Sequence, residues 1–406
     1  MKKIISIDFL PNFEEDDFEL IKKILNGYED LGAKRKIEEE LGKYFPQGEI
    51  LFFNSARSAL TFILNILKSL DKRREVLTQA FSCLVVPNAI KFAGLKPTFV
   101  DIDDDFNLSL DDLKNKINYD SLALIVQNTF GIPAKIEEIL NLAKEKNIFV
   151  IENLTHALGA KYKNIYLGNF GDVALLSFNR NKVISSIIGG ALIIRNEFLI
   201  KEVIKEYNQL EEFNKAYLKK ILWGTLIFSF SKNFYHLKIT RLFLKILRSL
   251  KITPEMISKE EKMGIIPQDY LKKFPYELYP LLLNQIKKLE KFNSQRKKIA
   301  SIYMENLGIF SKNLKLDLVE PIFLRYPCFS LQREEIIKEF AKENIFLGEW
   351  YFCPLSPCET KEEIFGYERS SCKKTEEVNK VIFNLPTLID EKIAYYLLKK
   401  LGKWMK

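Results

Sequence analysis

The chain has 406 residues, 47% of them hydrophobic and 28% charged, a balance that excludes a disordered or fibrous protein and allows two domains with sizeable cores. The formal net charge is +9 at pH 7. A stretch without acidic residues, 213–254, holds Lys215, Lys219, Lys220, Lys232, Lys238, Arg241, Lys245, Arg248 and Lys251, which together equal that excess and argue for one specialised basic segment rather than a nucleic-acid-coated surface.

From the N-terminus, Lys2-Lys3 is followed by an apolar run that Asp8 interrupts at once, which is not the pattern of a secretory signal. Strand-like runs then recur at 49–53, 75–78, 97–100, 122–127, 148–151, 173–176 and 191–194. Helical patterns separate them, including 58–70, 109–117 with Ser109 as a cap, and 136–146. This alternation predicts an α/β fold with a mostly parallel sheet flanked by helices. A long amphipathic helix at 281–307 leads into a smaller α+β domain, with strands at 322–326, 345–347 and 381–384 and helices at 333–341 and 391–401. The expected division is therefore a large domain 1–280, with an insertion at about 213–263, and a small domain 281–406.

The insertion combines an apolar run at 221–231 with a second segment in which Leu237, Ile239, Leu242 and Leu244 interleave with Lys238, Arg241 and Lys245. Neither spans a bilayer. A basic amphipathic helix pair lying on an anionic membrane surface and a helical hairpin packed on the protein or on a partner are both compatible with this pattern. Cys83, Cys328, Cys353, Cys358 and Cys372 form no metal-ligand spacing; an odd number in a large chain predicts reduced thiols and a cytoplasmic location. His156 and His236 are the only histidines, so no metal site is expected.

Chemistry concentrates at Ser177-Phe178-Asn179-Arg180-Asn181-Lys182, a loop between two strand-like runs. A lysine placed there, with a hydroxyl five residues before it, suits a Schiff-base lysine. Pyridoxal phosphate would supply the aldehyde, and Ser177 would help hold its phosphate. Burial and Arg180 are both expected to lower the amine's pKa. The turn Asn54-Ser55-Ala56-Arg57-Ser58 opens a helix after a strand, and its amides and helix dipole favour a dianion. Arg57 would add a charged contact, while the plain reading of Ser55 and Ser58 is helix capping. Asn54, Gln79, Asp101, Gln127, Asn128, Asn153 and Ser177 sit at strand ends and are expected to converge on one cleft.

These motifs resemble the DegT/DnrJ/StrS sugar aminotransferases, a branch of the fold-type-I pyridoxal-phosphate enzymes. The resemblance rests on Glu152 to Ala160, Gly171-Asp172, Ser177 to Lys182 and Gly189-Gly190, and resumes at Ser371-Cys372, Glu376-Glu377 and Asn384-Leu385-Pro386-Thr387. It implies a transfer of an amino group from an amino acid to a nucleotide-linked keto-sugar. Lys182 would be the Schiff-base lysine and proton shuttle, His156 would contact the cofactor's phenolic oxygen, and the protein would be a homodimer. It also exposes departures. Asn153 stands where the family has an aspartate that keeps the pyridine nitrogen protonated, and Glu152, one residue away, would face the other side of the strand. Cys83 takes a position often held by an aromatic that stacks on the ring. Ala56-Arg57 replaces Gly-Thr, and the insertion replaces a segment that the partner subunit contributes to the phosphate site. Three readings follow: a working aminotransferase, a non-catalytic relative that binds a membrane surface or a partner, and an enzyme whose chemistry tolerates an unprotonated ring.

Overall fold

A computed structural model describes residues 4–8, 10–232, 257–308 and 317–404. The run Ser121–Gln127 is buried along its whole length, as a strand covered on both faces must be. It is the fourth strand of a seven-stranded sheet made of β1 (Glu49–Phe53), β2 (Glu75–Gln79), β3 (Lys96–Val100), β4 (Ser121–Gln127), β5 (Phe149–Asn153), β6 (Val173–Ser177) and β7 (Gly190–Ile194). The spatial order is β1-β7-β6-β5-β4-β2-β3. Strands β3, β2, β4, β5 and β6 run parallel, and β7 is antiparallel to both β6 and β1. The predicted parallel sheet is therefore present, with each strand within two residues of its expected ends.

The helices in chain order are α1 (Glu15–Leu25), α2 (Ala33–Gly42), α3 (Ala56–Leu70), α4 (Val85–Phe92), α5 (Leu110–Lys116), α6 (Ile136–Glu145), α7 (Glu197–Asn208), α8 (Lys215–Lys232), α9 (Lys259–Lys262), α10 (Tyr279–Lys287), α11 (Leu289–Leu307), α12 (Arg333–Ala341), α13 (Lys373–Val381) and α14 (Glu391–Leu401). One apolar cluster joins one face of the sheet to α1, α2, α6 and α10, and a second packs α3, α4 and α7 on the other face. A third gathers α11, α12 and α14 around the antiparallel pair Arg325–Phe329 and Ile382–Pro386. The N-terminus joins this last group, because Ile5–Ser6 pairs in parallel with Ile345–Phe346.

Several expectations are corrected. The helix predicted over 281–307 is two helices broken at Lys288. That residue reaches back to α1, where its Nζ lies 2.6 Å from Asp16 and 2.9 Å from Asp17. The apolar run expected as a strand at 322–326 is a buried connector at its start: the Ile322 and Leu324 amides donate to Gly131 and Phe130 carbonyls, and the strand begins at Arg325. Ser109 occupies the cap position of α5 without a side-chain cap bond. Cys353 and Cys358 are disulfide-bonded, not reduced; their loop returns on itself and brings the two Cα atoms to 5.5 Å. Helix α8 packs on the protein through Leu218, Ile221 and Leu222. The basic stretch 233–256, on which the membrane-surface reading mainly rests, lies outside the described residues. Among those described, no helix is long and apolar enough to cross a membrane.

The loop between β6 and β7 is held from below by a buried polar network. Asn12 Nδ2 donates to the carbonyls of Lys182 (2.8 Å) and Val183 (2.9 Å). Arg296 Nη2 donates to Val183 O at 2.9 Å and to Asn12 Oδ1 at 3.1 Å, and Arg296 Nη1 donates to Asn293 Oδ1 at 2.9 Å. Gln285 accepts the Ser185 amide and donates to Asn12 O. Asn293 also donates to Leu158 O, and a side chain at Gly159 would meet its Nδ2 at 2.6 Å. That contact explains a glycine inside the Glu152 to Ala160 motif. Burial alone drives the Arg296 pKa down to about 9, so the guanidinium remains charged at neutral pH, held by neutral acceptors. Replacing it leaves the Asn12 and Asn293 amide oxygens without this donor and Val183 O with Asn12 alone. Arg296→Met is therefore expected to cost about 3 kcal/mol of stability, read as a lower urea midpoint; an unchanged midpoint would show that the network carries little of the fold.

Candidate active site

The carboxyl ends of β4, β5 and β6 open into a cavity of about 530 Å³, where a parallel sheet is expected to bind its ligand. Its lining includes Ser55, Ala56, Arg57, Cys83, Asn153, His156, Ser177 and Lys182, which are all the site residues expected from sequence. Of the strand-end polar residues, only Gln127, Asn153 and Ser177 reach it. The others serve the fold. Asn54 Nδ2 donates to the Asp269 and Tyr270 carbonyls, Gln79 donates to Phe81 O and Thr129 Oγ1, Asn128 accepts the Ala134 amide, and Asp101 accepts the amides that open α13.

Lys182 projects its Nζ to 4.6 Å from the centre of the Trp350 ring. Burial pulls its pKa down to about 8, with Arg325 and Arg57 adding to the fall and Cys83 and Asp8 opposing it. The cationic neighbours are thus Arg325 and Arg57, brought by the fold, and not the adjacent Arg180. His156 is buried, and its ring stacks on Trp350 with centroids 4.7 Å apart. Burial, then the charges of Lys182 and Arg325, hold its pKa well below the ordinary value, so the imidazole is neutral. Its Nδ1 is buried without a hydrogen-bond partner, an unmet polar atom at the wall of the cavity.

At the opposite end, Ser55 caps α3: its Oγ accepts the Ser58 amide at 3.2 Å. Capping and cavity lining are therefore both true of it. A Cβ on Gly190 would fall 2.4 Å from the Ala56 nitrogen, so β7 approaches this turn as only glycine allows. Arg57 lines the cavity and forms an ion pair with Glu261 of α9, near the end of the insertion. Burial opposes the charge of Arg57, but Glu261 outweighs it and keeps the guanidinium above its usual value.

Asn153 lies 2% exposed at the end of β5, and its Oδ1 accepts the Thr155 amide at 3.1 Å. What it offers a ligand is therefore the Nδ2 amide, a donor. Glu152 does face away, accepting the Gly168, Phe170 and Gly171 amides at 2.6 to 2.7 Å. It is a loop anchor, as is Asp172, which accepts the Val150 amide and the Asn196 side chain. Phe81 does not supply the missing stacking ring: it is buried among Phe106, Phe130 and Tyr351.

Sequence reasoning missed Asp8, Trp350 and Tyr351, which reach the cavity from the two ends of the chain. Arg325 Nη2 donates to Asp8 Oδ1 at 2.7 Å, and the Arg325 guanidinium lies 3.3 Å from the Trp350 ring centre. Asn181 Nδ2 adds a bond to Asp8 at 3.0 Å. Burial works against the Asp8 charge, yet Arg325 and Asn181 hold its carboxyl below the usual range. Gly224, Thr225 and Phe228 of α8, with Ile257 and Lys262, also line the cavity. The basic composition of the insertion gave no hint of this.

The set fits pyridoxal phosphate. A cavity of suitable size presents a buried amine with a low pKa, a neutral imidazole with an unmet nitrogen, and a helix-opening turn with a cation and hydroxyls.

Comparison with known proteins agrees. The model of the DegT/DnrJ/EryC1/StrS aminotransferase family matches residues 11–224 and 280–392, and the gap between them takes in the end of α8 and the rest of the insertion. An uncharacterized protein of Methanocaldococcus jannaschii is 26% identical over 94% of each chain. The UDP-4-amino-4,6-dideoxy-N-acetyl-beta-L-altrosamine transaminase of Campylobacter jejuni is 29% identical over 67% of this chain and 75% of its own. The GDP-perosamine synthase of Escherichia coli O157:H7 is 37% identical over 31% of this chain and 35% of its own. Helicobacter pylori PseC, an aminotransferase involved in the biosynthesis of pseudoaminic acid, shares the fold with a TM-score of 0.72 and 18% identity, covering 100% of this chain and 98% of that one. With its family model covering most of its length, this chain belongs to the DegT/DnrJ/EryC1/StrS aminotransferase family, whose enzymes depend on pyridoxal phosphate.

Proposed function

We propose that this protein transfers an amino group from an amino acid to a keto-sugar carried on a nucleotide, with pyridoxal phosphate on Lys182. The observation that carries the reading is the buried Lys182 amine facing the one end of the sheet where Ser177, His156 and the Ser55–Arg57 turn also face. The printed activities of the Campylobacter and Escherichia relatives support the substrate class. We also propose a division into 1–280 and 281–406, a homodimer and a cytoplasmic location. The exposed Trp223 and Phe230 on α8 are candidates for the dimer contact.

When bound, the cofactor supplies an electrophilic aldehyde and a ring that accepts electrons from the donor's α-carbon. The chain's residues do the rest. The Ser55–Arg57 turn and Ser177 hold the phosphate. His156, neutral, lends a nitrogen to the phenolic oxygen. Lys182 carries protons to and from the reacting carbon, a task that suits an amine titrating near neutrality. Asn153 would offer its Nδ2 amide to the ring nitrogen, and an amide there would not hold a proton on it, which would make the ring a weaker electron sink.

The direct test is the visible absorption of the protein with pyridoxal phosphate beside Lys182→Ala. A band that requires Lys182 and bleaches with an amino donor such as glutamate is expected; absence of any Lys182-dependent band would reject the site. A second expectation concerns pH. With a pKa of about 8, roughly one Lys182 in ten is neutral at pH 7, against about one in a few thousand for an ordinary lysine. The rate of capture of pyridoxal phosphate should rise as pH approaches 8 and level off above it. A rise continuing to pH 10 in rapid-mixing experiments contradicts a depressed pKa. Third, Asn153→Asp restores a carboxylate able to keep the ring nitrogen protonated. Turnover should increase by about tenfold or more. If cofactor binds but neither form turns over any sugar or amino donor, the non-catalytic reading gains.

A further inference from the structure

We propose that Glu261 is a built-in stand-in for the cofactor's phosphate: its carboxylate occupies Arg57 in the free protein and gives way when the phosphate arrives. The inference rests on the pyridoxal-phosphate reading of the cavity. Arg57 lies in the first turn of α3, two residues after the Ser55 cap, on the wall where an anion meets the helix N-terminus. The ion pair from Arg57 Nη1 to Glu261 Oε1 is almost fully enclosed, with the carboxylate side chain 5% exposed. An enclosed carboxylate on Arg57 satisfies one of the donors that a phosphate would.

The same carboxylate also closes the turn that opens α9. Glu261 Oε2 accepts the Ser258 amide at 2.9 Å, Ser258 Oγ accepts the Glu261 amide at 3.2 Å, and Asn88 Nδ2 donates to the Glu261 carbonyl at 2.8 Å. Withdrawal of the carboxylate from Arg57 therefore loosens the Ser258 bond as well, while the Asn88 bond to the carbonyl remains. A phosphate near Arg57 carries close to two negative charges and gains the α3 amides as well. Beside it the Glu261 carboxylate is a like charge in an enclosed space, which favours its withdrawal. The neighbours Ile257 and Lys262 line the same cavity, so withdrawal of Glu261 moves a piece of the cavity wall. Cofactor loading is in this way reported to the insertion.

The prediction has a sign. If Glu261 merely positions Arg57, removing its charge weakens phosphate binding. If it competes, removal strengthens it. Dissociation constants for pyridoxal phosphate and for pyridoxal, which lacks the phosphate, are to be measured in the wild type, Glu261→Gln and Arg57→Ala. Glu261→Gln should tighten pyridoxal phosphate on the order of tenfold while leaving pyridoxal unchanged. Arg57→Ala should weaken pyridoxal phosphate alone. Equal or weaker binding of pyridoxal phosphate by Glu261→Gln overturns the inference and leaves the cofactor site standing. Failure of the wild type to form a Lys182-dependent band overturns the functional reading and this inference together. Hydrogen exchange on the wild type gives a reading that needs no variant: amides of 258–264 should exchange faster with pyridoxal phosphate than with pyridoxal. Equal exchange also overturns it.

Discussion

Lys182 can act only if its loop is fixed, and that loop is fixed by one buried cation. Arg296 donates to Val183 O and to Asn12 Oδ1, and Asn12 in turn donates to the Lys182 carbonyl. Three parts of the chain that are far apart in sequence meet there: the N-terminal segment, the reactive loop and α11. The arrangement is costly, because burial depresses the Arg296 pKa to about 9 with neutral oxygens as its partners. What the cost gains is geometry. A guanidinium offers several donors in a fixed fork, and the Val183 carbonyl is held from below while the Lys182 side chain points up into the cavity. Asn293 extends the same network to Leu158, so the His156 turn and the Lys182 loop are registered to each other.

The sheet was legible in the sequence because its physics is local. Continuous apolar runs of β-branched and long aliphatic residues, broken by turn formers, have few alternatives to buried parallel strands. The Lys182 loop and the Glu152 to Ala160 stretch were legible for the same reason, since their spacing is set by adjacent strands. What escaped reading depends on contacts between distant residues. Asp8 looked like a charge that interrupts an apolar run; in the fold it is the partner of Arg325. Trp350 carries no local signal, yet it lies against His156, Lys182 and Arg325. Gln79 and Asp101 end their strands as the cleft residues do, but loops that cross over them claim their hydrogen bonds. The break at Lys288 was invisible because the apolar periodicity continues through it, whereas in the fold Lys288 pairs with an acidic cluster on α1.

Asn153 and Trp350 change the site in complementary ways. A family aspartate would draw charge to the foot of the cavity; here that position is an amide whose oxygen is already used by Thr155. Charge near Lys182 comes instead from Asp8 and the buried Arg325, which form a pair. Aromatic surface has moved as well: Cys83 leaves its position small, and the Trp350 ring comes from the C-terminal part of the chain. The cavity thus has an aromatic ring in Trp350 and a charged neighbour of Lys182 in Asp8.

The same displacement accounts for the insertion. Its first helix spends Leu218, Ile221 and Leu222 on the main core and turns Gly224, Thr225 and Phe228 toward the cavity. The chain then returns through Ser258 and Glu261 to the phosphate turn. A segment that begins in the core and ends in an ion pair at the site cannot shift without altering the site. Apolar burial fixes one end of it, where the free energy scales with area and is insensitive to charge. The other end is held by polar contacts, among them the Arg57–Glu261 ion pair and the Asn88 bond to the Glu261 carbonyl, and an arriving anion perturbs the first directly. An insertion anchored in this way senses the cofactor at one end while its frame stays put at the other.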